Sequence, residues 1–220
     1  MIEYYPAKYI DKFGEEQTTI QNDGKDLIMV VREVEFRCSM LDDWEPTRET
    51  NPEHLKSFLI HPIFNTLYRY KLEFEIPIPV MKSFQVLQGI LNIHLDIEGV
   101  ETNHAGGRED LLLVLQVDKQ RFESCGKHGW FDDELQEIVN AMPKDMQIKT
   151  CYGCAFSDYS PAGFGLFGGL ACFRNTKQEY LSLKGKAAYF KLQDRMAGLV
   201  QETYLCDEFE KRIPGTGYRG

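Results

Sequence analysis

The sequence predicts an α+β protein, mainly antiparallel sheet, with a sandwich-like N-terminal part and two or three helices towards the C-terminus. Three observations lead there. Two central stretches alternate apolar and polar residues at period 2, the signature of half-buried strands. The connection between them is short, which favours antiparallel neighbours with one wet face. Helical spacing of apolar residues appears only beyond about residue 130.

The elements follow in order. Residues from Met1 to about Lys25 carry weak strand signals and read as a surface-lying lead-in. From Asp26 to Cys38 the pattern sharpens, with Val34, Phe36 and Cys38 alternating with Glu33, Glu35 and Arg37. Leu41–Pro52, which holds Trp44, Pro46 and Pro52, reads as a long loop. Tyr68, Tyr70, Leu72, Phe74 and Ile76 then mark one face of the clearest strand, which Pro77 and Pro79 are expected to end or push to an edge. Leu87, Leu91, Ile93, Leu95 and Ile97 share a face of the next. An Ala-Gly-Gly turn within Asn103–Asp110 leads to a nearly continuous apolar strand, Leu111–Val117. A helix is expected from near Asp133, where Asp133 and Gln136 have capping-box spacing, to a stop at Pro143. Strand resumes over Met146–Phe156, and a glycine-rich turn precedes a short strand near Leu170–Phe173. A longer helix is expected over about Lys186–Tyr204 with Phe190, Met196, Val200 and Tyr204 buried. The division expected is a sheet-rich acidic part, 1–125, with a Cys- and Gly-rich α/β part, 126–220, packed on it as one compact unit.

Composition narrows the class. Hydrophobic residues at 43% and charged residues at 27% are an ordinary globular mixture. No apolar run approaches the roughly 18 residues that span a bilayer. The opening Met1-Ile2-Glu3-Tyr4-Tyr5-Pro6 has neither a basic nor an apolar leader segment. A cytoplasmic location is therefore expected, with the six cysteines reduced. Net charge is −9, spread unevenly: 27 acidic and 16 basic residues over 1–150, against 7 and 9 in the remainder. An acidic body argues against nucleic acid and anionic membranes and suits a basic protein partner.

Four thiols fall in the last third: Cys151 and Cys154 in a C-x-x-C pair, then Cys172 and Cys206. Four thiolates are a sound donor set for tetrahedral zinc. Reduced cysteines also pack as small apolar residues, and two placed three apart on a strand would face opposite ways. Buried thiols without a cofactor are the main expectation, with zinc as the alternative. Gly163-Phe-Gly165-Leu-Phe-Gly168 matches G-x-G-x-x-G literally, but a dinucleotide site needs a helix to open there, and a turn between strands is expected instead. Cys125-Gly-Lys-His128 is either a nucleophile with its base, two metal ligands, or a turn carrying a surface histidine. Asp42, Asp43 and Glu45 flank Trp44, an arrangement that suits a basic partner if the indole is exposed, the equal alternative being an indole tucked against the sheet.

The run Cys151-x-x-Cys154-x-x-Ser157-Asp158-Tyr159-Ser160-Pro161, followed by Phe167-Gly168-Gly169-Leu170-x-Cys172-Phe173-Arg174, Val200-Gln201-Glu202-Thr203, Leu205-Cys206 and Pro214-Gly215-Thr216-Gly217-Tyr218-Arg219-Gly220, resembles an uncharacterised bacterial family of unknown function. The resemblance implies a bacterial origin, a shared fold and a setting beside polymorphic toxin systems, and no mechanism. Two function classes result. The first is a non-enzymatic binding protein, an immunity-type protein for a basic toxin being one form. The second is an enzyme or metal-dependent factor with its site at Ser157, Asp158, Tyr159, Arg174, Arg219 and the four cysteines.

Overall fold

The computed structural model describes residues 2–99 and 108–218. They form two units, each assembled from two segments: Met1–Pro77 with Gly89–Met142, and Ile78–Gln88 with Pro143–Gly220. The division differs from a cut near 125 because residues 78–88, two strand ends and the turn joining them, group with the C-terminal part, while 126–142 stay with the first unit.

In the first unit, β1 (Glu3–Asp11) and β2 (Gly14–Asn22) form a hairpin of two nine-residue strands, in place of the expected lead-in. The buried residues Tyr5, Ala7 and Tyr9 alternate along β1, but Pro6 and the short Ala7 blur the pattern, and β2 buries little before Ile20. The stretch 26–38 is two strands, β3 (Leu27–Val31) and β4 (Val34–Cys38). They turn on Arg32 and Glu33, at φ +47° and +64°. Both lie in the left-handed region of a type I′ turn, which Asn and Gly usually signal. A two-residue strand, β5 (Glu45–Pro46), pairs with β4.

The long strands β6 (Tyr70–Lys82) and β7 (Gln85–Gly99) follow, then β8 (Arg108–Val117) and β9 (Gln120–Glu123). The sheet order is β5-β4-β3-β2-β1-β6-β7-β8-β9, one hydrogen-bonded path in place of the two sheets of a sandwich. Pro77 and Pro79 do not end β6. The β1 register ends at Phe74, so neither proline faces a β1 partner, and Ile76, Ile78 and Val80 keep the buried alternation going. Ala105-Gly106-Gly107, the turn expected before β8, lies outside the described residues. The helix α1 (Phe131–Ala141) starts two residues earlier than its capping signal, at the buried Phe131, with Asp132, Asp133 and Glu134 in the first turn favoured by the helix dipole.

In the second unit, β10 (Met146–Ile148) pairs with Val80–Lys82 of β6. The expected strand over Met146–Phe156 breaks into one 3-10 turn at Cys151–Gly153 before β11 (Ser157–Tyr159). The elements β12 (Leu170–Cys172), α2 (Lys177–Leu181), α3 (Lys186–Gln193) and β13 (Gly198–Val200) complete it, with sheet order β11-β12-β13. The helix α3 ends eleven residues short of Tyr204 because the chain beyond it pairs with β12, Ala197 N–H already reaching Cys172 O at 2.7 Å. Its buried side is Tyr189 and Leu192. Phe190 and Tyr204 are exposed.

The aromatic core of this unit stacks Phe173 on Tyr180, ring centroids 4.7 Å apart, with Tyr189 edge-on to Phe173. The tail closes it: Phe209 and Tyr218 pack on this cluster, and Tyr218 meets Tyr189 at 5.4 Å. Gly217, at φ +73°, is required there, since a Cβ would approach the Tyr180 hydroxyl to 2.5 Å. Deleting Pro214–Gly220 is expected to lower the melting temperature by a few degrees. An unchanged melting curve would show that the tail adds nothing to stability.

Candidate functional sites

In the first unit the residues around 42–45 border an open cleft of about 580 Å³. Five carboxylates line it, Asp26, Glu35, Asp43, Glu45 and Glu49, against two guanidiniums, Arg37 and Arg48. Arg37 is turned to Asp26 at 3.5 Å, which leaves one arginine among the other four acids. Trp44, singled out as a contact if exposed, is fully buried, its backbone carbonyl taking Leu67 N–H at 2.8 Å. Burial pushes the Asp42 carboxyl up, and Asp43 beside it adds to the effect. Asp43 and Glu45 border the cleft. Trp44 instead anchors the loop from below.

In the second unit Cys151 and Cys154 sit at the first residue and the C-cap of the same 3-10 turn. Residues three apart on such a turn eclipse one another, so the objection from strand geometry no longer applies. The turn is tight: a Cβ on Gly153 would stand 2.8 Å from Ile148 O. All four cysteines of this unit are buried. Burial pushes the Cys151 thiol well up, and Cys154, Cys206 and Cys172 beside it add to that, against a smaller pull from Arg174. Arg174 Nε donates to Cys172 Sγ at 3.3 Å. Buried in this way, the Cys151 thiol is protonated and slow to react.

The segment after the turn is a polar network. Ser157 Oγ donates to Cys151 O, and the Tyr180 hydroxyl donates to Asp158 Oδ2 at 2.6 Å. Arg212 donates to Cys154 O at 2.9 Å, to Ser157 O and, at 3.4 Å, to the Tyr180 hydroxyl. Tyr159 donates to a buried carboxylate, Glu202, at 3.1 Å. Gly168 N–H meets its other oxygen at 2.7 Å. The glycine-rich run thus turns between β11 and β12, and one of its N–H groups serves the protein's own carboxylate. Burial outweighs these bonds and raises the Glu202 carboxyl to about 7. The structure brings Ser157, Asp158 and Tyr159 together and sets Arg174 at Cys172. Arg219 lies outside the described residues. No local pattern marks Glu202 and Arg212 as site residues, since they lie 43 and 55 residues from their partners Tyr159 and Ser157.

A third cluster belongs to the first unit. The loop Cys125–His128 is tied to α1 by two glutamates one helical turn apart. Glu134 accepts the N–H groups of Gly126 and His128 at 2.8 and 2.7 Å. Glu137 accepts Cys125 N–H at 2.6 Å and meets His128 Nε2 at 2.9 Å. The bond to Glu137, and the neighbouring acids, raise the His128 imidazole. Burial and the same glutamates raise the Cys125 thiol. Cys125, His128 and Glu134 each offer a ligand atom within 4.8 Å of the other two, the one such group of three among the described residues. The C-x-x-H spacing was the signal for this loop, while its acidic partners emerge only once α1 is in place.

Among the described residues, no helix is long and apolar enough to cross a membrane. A model described as a family of unknown function (DUF6304) matches residues 3–157, which takes in the first seven residues of the motif-bearing segment and none beyond. No curated protein matches, and no solved structure does.

Proposed function

The chain belongs to DUF6304, a family of unknown function, and we propose that it is a non-enzymatic binding protein whose acidic cleft receives a basic protein partner. The supporting observation is the cleft itself, an open concavity whose lining carries five acids against two arginines. Complementary charge at such a surface speeds encounter and selects partners. An immunity-type protein that occludes a basic toxin belongs to this class.

A lysine- and arginine-rich peptide serves as the probe, with affinity followed by fluorescence anisotropy at low and physiological salt. Asp43→Asn, Glu45→Gln and Glu49→Gln combined are expected to weaken binding at least about tenfold. Glu15→Gln, Glu53→Gln and Glu123→Gln combined remove the same charge from exposed positions elsewhere and are expected to leave it nearly unchanged. Equal weakening by both variants would reduce the effect to net charge and sink the cleft as a site.

A further inference from the structure

The acidic cleft leaves the Cys125–His128 loop unexplained. Cys125 and His128 are exposed, three residues apart, while Glu134 and Glu137 lie three apart on α1. Residues at that spacing share a helix face. The loop folds back over that face by three backbone N–H bonds to the two carboxylates, and Gly126 and Gly129 supply the left-handed backbone at φ +69° and +71°. Ser124, buried just before the loop, fixes its start by exchanging bonds with Leu113: its N–H to Leu113 O, and Leu113 N–H to its Oγ, both 3.0 Å. The backbone positions from which Cys125 and His128 project are thus set by hydrogen bonding.

We propose that Cys125, His128 and Glu134 form a binding site for a zinc-class divalent cation. A sulfur, an imidazole nitrogen and a carboxylate oxygen make a mixed donor set that suits zinc, cobalt or nickel better than calcium or magnesium, which take oxygen. A tetrahedral zinc holds its sulfur and nitrogen ligands about 3.5 Å apart. The present mutual limit of 4.8 Å requires closure of roughly one ångström, within reach of a side-chain rotation.

The hydrogen bonds already present are compatible with a metal. Each carboxylate oxygen has two lone pairs, so Glu134 can keep its N–H bonds while one oxygen turns to the cation. Glu137 holds His128 at Nε2, which leaves Nδ1 for the metal and makes Glu137 the carboxylate that orients the ring. A thiolate, a carboxylate and a neutral imidazole together balance a charge of two, and the fourth position is open to water.

Cobalt and zinc themselves are the probes, added to full-length protein purified without a histidine tag and stripped with chelator. Cobalt is expected to bind at one equivalent with a near-ultraviolet thiolate-to-cobalt charge-transfer band. The band should vanish in Cys125→Ser. His128→Asn is expected to weaken zinc at least about tenfold, and Glu137→Gln by about tenfold as an orienting change. Because Cys125 and His128 are exposed, the metal-free variants should melt with the parent, which separates loss of ligands from loss of fold. Failure of the stripped protein to take up either metal overturns the proposal. So does a charge-transfer band that survives in Cys125→Ser, which would place the metal on the four buried thiols instead.

Discussion

Glu202→Gln is expected to abolish a loss of stability that the parent suffers as pH rises from about 4.5 to about 7. The unfolded carboxyl titrates near 4.5 and the folded one near 7, because burial outweighs the bonds from Gly168 and Tyr159. Below 4.5 both states are protonated and the contribution is fully present. As pH climbs, the unfolded chain ionises first while the native side chain resists, so stability drains until the folded value is passed. The displacement corresponds to about 3 kcal/mol. Glutamine reproduces the protonated shape. Its oxygen can accept Gly168 N–H, and its amide can donate to the Tyr159 hydroxyl. Urea unfolding of both proteins at pH 4.5 and pH 8 provides the check, read as the difference between them at each pH. A difference that does not change with pH would mean that Glu202 is ionised as readily in the fold as out of it.

Arg212→Met is expected to cost on the order of 3 kcal/mol. The guanidinium satisfies two carbonyls, Cys154 O and Ser157 O, and touches the hydroxyl that bonds Asp158. Methionine fills similar volume but leaves both acceptors dry and the buried Asp158 without a nearby cation. Both carbonyls are served by one guanidinium nitrogen, Nη2, so the three-donor ammonium of Arg212→Lys is expected to recover part of the loss while forfeiting the Nη1 contact to the Tyr180 hydroxyl. Adding Asp158→Asn to Arg212→Met should restore part of the loss. A double variant no more stable than Arg212→Met alone would separate Asp158 from the arginine energetically.

The sheet was legible in the sequence where one face is buried and the other wet. Tyr70 to Ile78 and Leu91 to Ile97 alternate cleanly, and burial follows the alternation. Turns were legible only where glycine or proline marks them. Arg32-Glu33 and Asp118-Lys119 both close hairpins with left-handed backbone, and neither pair carries the glycine that usually announces such a turn. Without it, the alternation over 26–38 reads as one strand, and the four residues of β9 carry no signal of their own. In the candidate site, Ser157, Asp158 and Tyr159 are neighbours in sequence and so were legible together. Their partners Glu202, Tyr180 and Arg212 arrive from 22 to 55 residues away. No local period encodes such a meeting. The shift of α3 by one residue, burying Tyr189 in place of Phe190, has the same origin: tertiary packing decides which aromatic enters the core.

The path of the first unit's sheet runs from β5 at one end to β9 at the other, and its terminal strands are its shortest: two residues, one of them proline, and four residues with Arg121 and Glu123 exposed. Strand addition needs a long run of unpaired main-chain groups, and neither terminal strand, at two and four residues, supplies one. The same brevity makes β5 and β9 poor templates for a strand from a second copy. A peptide docking on this unit would therefore be read by side chains and their charge, and would gain little from lying as an extended main chain along either terminal strand.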